Sequence, residues 1–164
     1  MGNHDIQYLY FPKYKTSGIN WGAQRAFTEI LEANKGLFKV AFQLKNYLWS
    51  HAGVSTGWLN HYCQQIDGFS DMNYHADLAD FLNRMLEDNL HVLATISGAR
   101  GGTSYYGGVF WADMSELSSD YLKSVHQYVG HTKVPVPIKV GDKNGSVNFL
   151  DCLDMETRFI SISL

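Results

Sequence analysis

The 164-residue chain has little of several things, and each shortage excludes a class of protein. Its two cysteines, Cys63 and Cys152, have no Cys-x-x-Cys or metal-finger spacing, which argues against a disulfide scaffold or a zinc ribbon and leaves two reduced thiols as the expectation. No Lys/Arg cluster offsets the formal net charge of −3, so no nucleic-acid surface is expected. No apolar run approaches the roughly 20 residues needed to cross a bilayer. The first residues lack the charged-then-apolar form of a signal peptide. Proline is confined to Pro12, Pro135 and Pro137, and there is no internal repeat or low-complexity tract. What remains is 45% hydrophobic and 18% charged, the composition of one globular domain over residues 1–164. A soluble cytoplasmic protein with no membrane partner is the resulting expectation.

Periodicity predicts a mixed α and β chain, α+β in class, with helices first and antiparallel strands last. "WGAQRAFTEILEANKGLF" has apolar residues at helical spacing (Ala26, Ile30, Leu31) and a stop at Gly36. "LFKVAFQL" and "YLWSHAGV", separated by "KN", read as two strands and a tight turn. Ser55 is placed to cap a helix "TGWLNHYCQQI" that ends at Asp67-Gly68. "HADLADFLNRMLED" is the most regular amphipathic stretch, with Leu78, Phe81, Leu82 and Met85 on one stripe. "SGARGGTSYYGG" is a Gly-rich loop, followed by the apolar "VFWA" and a helix from Ser115. "VHQYV", "PIKV", "SVNFLDCL" and "RFISISL" read as strands, with "GDKNG" as a hairpin turn. The aromatic stretches "QYLYFPKY" and "SYYGGVFW" are expected to serve packing.

Three histidines share a setting: a small-residue loop in "GNHD" (His4), "SHAGVS" (His51) and "GHTKVP" (His131). Glycine lets a backbone turn sharply and approach a ligand closely. Asn3, His51 and His131 offer one amide oxygen and two imidazole nitrogens. That set suits a first-row divalent ion such as Mn, Fe or Zn, with a carboxylate and water completing the shell. His4, held in the same loop as Asn3, is then free to donate a proton. His126 lies five residues before His131, so strand alternation turns the two to opposite faces and leaves His126 structural. His61, His75 and His91 take no assigned role.

The ordered set "GNHD", "WSHAGVS", "VGHTKVP", followed by a strand ending "FLDCLD", resembles the calcineurin-like metallophosphoesterase family. The likeness is nearest to its serine/threonine-phosphatase-type branch of phage and bacterial enzymes, and "GGVFWADMSEL" is similar to a Trp-containing segment found there. It runs from Gly2 to about Asp154. The resemblance implies an αββα sandwich and two divalent metal ions. It implies that Asn3, His51 and His131 ligate one of those ions and that a metal-bound hydroxide attacks phosphorus in line. It makes His4 the general acid for the leaving alkoxide, with Asp5 stabilising the catalytic loop. Arg100, in "GARGG", is the candidate cation for a substrate phosphate oxygen.

The family pattern also places Asp-x-His and Gly-Asp-x-x-Asp-Arg-Gly before Gly-Asn-His, whereas only Met1 stands there. The chain is therefore expected to be the C-terminal portion of such a domain, with Met1 an internal methionine and the N-terminal strands and helices of the sandwich lacking. Ligands for one metal are retained, and the short form is expected to be weakly active or inactive. An uncovered sheet edge and apolar faces then favour self-association. The resulting function is a metal-dependent phosphoesterase acting on a phosphoprotein or a small phosphate ester. Two alternatives stand beside it: a non-catalytic domain acting by partner binding or assembly, and a dinucleoside-polyphosphate hydrolase.

Overall fold

Alternation in "AFQLKNYLWS" produces the hairpin that the sequence suggests. The computed structural model, which describes residues 1–14 and 16–162, pairs β1 (Ala41–Leu44) antiparallel with β2 (Tyr47–Ser50). The turn is the two residues Lys45-Asn46, and Lys45 takes the positive φ of 54° that such a tight connection requires. β2 then lies parallel to β3 (His126–Lys133), which lies parallel to β5 (Ser146–Asp151). β4 (Ile138–Gly141) closes the far side antiparallel to β5. One five-stranded sheet, ordered β1-β2-β3-β5-β4, thus unites the early hairpin with the C-terminal strands in an α+β fold. Parallel pairing of β2, β3 and β5 brings their C-terminal ends to one end of the sheet, where the loop after β2 begins with His51.

One sheet face is packed. Ala41, Leu48, Val129, Val147 and Phe149 alternate inward and are buried. The longest helix, α4 (Leu78–Asp88), buries Leu78, Phe81, Leu82 and Met85 as its spacing predicts, and lies against β1. The Asn83 side chain on α4 caps that edge strand: its Oδ1 accepts from the main-chain N–H of Val40 (2.7 Å) and Ala41 (3.2 Å), while its Nδ2 donates to the Ala41 carbonyl (3.0 Å). Side-chain pairing thus replaces part of what a neighbouring strand would supply. Ser55 caps α3 (Thr56–Trp58) by accepting from Trp58 N–H, and the turn continues through Leu59–Cys63 in wider, π-type geometry. Short helices α5 (Leu90–Leu93) and α6 (Met114–Asp120) complete the covered side, α6 with Asp113 at its N-cap.

The opposite sheet face carries a row of rings instead. Tyr47, Trp49 and Tyr128 stack on one another, His126 lies on Tyr47, and Phe42, 62% exposed, leans on Trp49.

Three expectations are corrected. "GNHD" is not a free loop: Gly2 is the N-cap of α1 (Asn3–Leu9), so Asn3 and His4 occupy a first helical turn. The C-terminal strands expected to run antiparallel do so only in the β4–β5 pair, because β3 lies parallel to β5; the helix expected in residues 21–38 does form, as α2 (Gln24–Ala33), packed on α1 with no residue buried. "RFISISL" forms no strand over 158–162, where no neighbouring strand receives it; Ser163 and Leu164 lie outside the described residues. Among the described residues, no helix is long and apolar enough to cross a membrane.

Candidate functional site

The end of the sheet where β2 finishes collects the residues that the sequence singled out. His51 follows β2 directly, and its loop is anchored on three sides. Its carbonyl accepts from Gly130 N–H (2.9 Å), Ala52 N–H donates to Val109 (2.9 Å), and the buried Gln127 amide pairs with both main-chain groups of Val54 (2.8 and 2.9 Å). Gly53 makes this path possible: its φ is +100°, and a Cβ there would stand 2.6 Å from Leu117 Cδ1.

His131 reaches the same place by breaking strand regularity. The β3–β5 register shifts between Val129 and Lys133, and His131 adopts φ +63°, an uncommon value for a residue with a side chain. Simple alternation along β3 therefore does not describe where its ring goes. His126 remains on the aromatic face, with Nδ1 3.0 Å from Ser146 Oγ.

Asn3 enters from the first turn of α1 and is buried. Asp5 fixes that turn by accepting from Gly2 N–H at 2.7 Å. Gly2 leaves room for the His51 ring, since a Cβ would lie 2.6 Å from His51 Nδ1 and force the ring to move.

Three donor atoms converge as a result. His51 Nε2 lies 2.8 Å from Asn3 Oδ1 and 3.0 Å from His131 Nδ1. Bonds of about 2.0–2.2 Å to one ion put neighbouring ligand atoms roughly 3 Å apart, so these separations suit a shared divalent ion. They equally suit a hydrogen bond from a protonated His51 Nε2, and the two uses exclude each other. Burial, first of all, lowers the pKa of both rings to about 4; the N-terminal ammonium adds to this at His51, and His51 and Arg100 add to it at His131. Both imidazoles are consequently neutral near pH 7, the state a metal requires. His131 Nε2 is buried without a hydrogen-bond partner, and the Trp111 ring packs edge-on at 5.6 Å. Among the described residues, no group of three His, Cys, Asp or Glu side chains suited to a metal ion gathers.

Arg100 and His4 flank the triad. Arg100 Nε lies 2.7 Å from Asp113 Oδ2 as a charge contact without hydrogen-bond alignment, and its Nη2 donates to Thr132 Oγ1. His4 is exposed, with Nδ1 3.4 Å from Gln7 Nε2. Asp113, Thr132 and Gln7 were not singled out by sequence. The signal for Thr132 was adjacency to His131 in Gly-His-Thr and for Gln7 the i, i+3 spacing from His4, while Asp113 carried none. A groove of about 500 Å³ lined by Asp5, Trp49, His51, Tyr128 and Gly130 joins this site to the aromatic face. A larger cleft of about 690 Å³ between β1 and α4 contains none of the candidate residues.

Comparison of the chain with protein-family models, with curated proteins and with solved structures found no match.

Proposed function

We propose that the chain carries the chemistry of a metal-dependent phosphoesterase, hydrolysing the phosphate ester of a phosphoprotein or a small molecule. The observation that carries this reading is the placing of Asn3 Oδ1 and His131 Nδ1 within 3.0 Å of His51 Nε2, from positions far apart in sequence. These three would hold one divalent ion, with Mn, Fe or Zn suited to the donor set. Such an ion, when bound, supplies Lewis acidity toward a phosphoryl oxygen and activates water. The chain's own residues do the rest. Asn3 and the two imidazoles fix the position of the ion. Arg100 offers a guanidinium to a phosphate oxygen in exchange for Asp113. His4, exposed at the mouth of the site, gives a proton to the departing alkoxide.

The test is hydrolysis of p-nitrophenyl phosphate, a phosphoserine peptide and a dinucleoside polyphosphate, each with added Mn²⁺ or Zn²⁺ and with chelator. Metal-dependent turnover that falls at least about a hundredfold in His4→Asn supports the reading. Absence of turnover with every substrate, or turnover indifferent to chelator, rejects it. The half-buried ring row on the sheet, with Phe42 exposed at its end, favours a second reading, a non-catalytic domain that acts by docking. That reading gains if the triad binds metal but no ester is cleaved.

A further inference from the structure

Arg100 is the candidate phosphate cation, yet its guanidinium is already engaged. Its Nε lies 2.7 Å from Asp113 Oδ2, with the two side chains 25% and 19% exposed. The contact is close but poorly formed. The Nε–H is buried without a hydrogen-bond partner, so the pair lacks the two parallel bonds that make an arginine–carboxylate fork strong. Asp113, by contrast, is firmly held. It is the N-cap of α6, and its Oδ1 accepts from the main-chain N–H of Ser115 at 2.8 Å and from Ser115 Oγ at 2.6 Å. Burial opposes charge on this carboxyl, but the Ser115 bonds, and after them the Arg100 charge, leave its pKa below the ordinary value. The carboxylate therefore keeps its place and its charge when Arg100 turns away. Arg100 has room to turn. The main chain around it is fixed, with Arg100 N–H and Gly102 N–H both donating to the Ser97 carbonyl at 3.0 Å, while a Cβ at Gly98 or Gly101 would meet nothing within 4 Å. Its Nη2 donates to Thr132 Oγ1, next in sequence to His131, so one end of the fork already stands beside the triad.

We propose that Asp113 is an internal competitor for the anion site. Its tethered carboxylate takes the charge of Arg100 that an incoming phosphate oxygen needs, and so holds the phosphate affinity of the site below what the guanidinium alone would give. Asp113 touches neither ligand nor ion; it is a positioning residue that acts through Arg100. Inorganic phosphate, the product of ester hydrolysis, is then bound weakly and leaves readily. The inference rests on the reading of Arg100 as the phosphate cation. A merely structural Asp113 would give the opposite sign, since loosening the cap and the ion pair would weaken any site built on them.

The experiment follows the Arg100 Nε–Hε resonance of the full chain by ¹H–¹⁵N correlation as inorganic phosphate is added, with chelator present. The signal is identified by its loss in Arg100→Gln. Asp113→Asn removes the charge and keeps the cap, because asparagine caps a helix as well as aspartate does. Its phosphate dissociation constant is expected to fall about tenfold or more below that of the parent, the order set by removing one charge a few ångströms from an anion. Asp113→Ser, also neutral and also a capping residue, is expected to act likewise and serves if the first variant does not fold. In an Arg100→Gln background, followed by the Thr132 main-chain signal, the gain is expected to vanish. Affinity unchanged or weaker in the neutral variants overturns the inference. A gain of equal size without Arg100 does so too, as does an Arg100 signal that phosphate never moves. Hydrolysis of p-nitrophenyl phosphate with Mn²⁺ separates the two readings. A KM lowered in Asp113→Asn, with kcat no higher, joins Asp113 to substrate binding. Tighter phosphate in a chain that cleaves nothing sustains the inference while the phosphoesterase reading fails. Turnover by a chain whose phosphate affinity ignores Asp113→Asn does the reverse.

Discussion

Nε2 of His51 stands 3.0 Å from Nδ1 of His131, although 80 positions separate the two residues in the chain. Each ring gets there by a different backbone device. His51 follows a strand end and opens a glycine-bearing loop, and His131 sits in a left-handed kink within β3. Two costs accompany the contact, a strained backbone and two desolvated imidazoles, which is why the pair is more informative than either histidine alone.

Gly2→Ala tests the closeness of this packing. The added methyl would overlap the His51 ring at 2.6–2.9 Å, while the Gly2 backbone, at φ −125°, suits alanine. The ring must therefore move and the helix need not. Affinity for Mn²⁺ or Zn²⁺, read by calorimetric titration, is expected to fall about tenfold or more, as it does when support to a ligand is disturbed. The urea midpoint should move little. Unchanged metal affinity in the variant would show that His51 is not a ligand.

The two histidines also set a direction for acid sensitivity. Their folded pKa values of about 4 lie below the ordinary 6.5, so the unfolded chain takes up protons first as pH falls. The stability carried by the neutral rings is complete above about pH 6.5 and is lost on the way down to about 4. Glu116, pushed up by burial, works in the opposite sense. The comparison of parent with His51→Gln therefore carries the test: the drop in denaturant midpoint from pH 7.5 to pH 5, measured with chelator, should be smaller in the variant. Equal drops would mean that His51 is solvated.

Asn83→Ala is expected to destabilise the fold by about 1–3 kcal/mol, since Val40 N–H, Ala41 N–H and the Ala41 carbonyl all lose their side-chain partner. The same change bares the outer edge of β1, so light scattering should report more self-association than in the parent. A variant as stable and as dispersed as the parent would show that water replaces the amide without loss.

Much of this architecture is legible in the sequence where local rules decide it. The Lys45-Asn46 turn, the Ser55 cap and the apolar stripe of α4 follow from a two-residue spacing, a hydroxyl and a 3.6-residue period. Asn3, His51 and His131 were legible as candidate residues near glycines. Their geometry was not, because parallel pairing of β2 with β3 is a long-range choice and the His131 kink suspends the alternation used to read strands. Gly2–Asp5 misled for a related reason: small polar residues signal a loop and a helix cap equally well, and the main-chain bonds from Asp5 N–H (3.0 Å) and Ile6 N–H (3.2 Å) to the Gly2 carbonyl separate the two.

Cys63 offers a probe independent of the site. Burial pushes its thiol up to about 12, and both cysteines are free and buried. Neither should react with a thiol reagent while the chain is folded, and both should react at rates ordinary for unfolded peptides in denaturant. Rapid labelling of Cys63 in native buffer would place the opening of the α3 region far below the global stability.

The parallel order of β2, β3 and β5 has a kinetic meaning as well. Asn3, His51 and His131 cannot meet until loops of tens of residues have closed, and contacts of such separation form late and slowly. No partly folded fragment of the chain can assemble the triad. Any ligand that engages all three donors therefore recognises only the completed topology, and its binding registers the last step of folding.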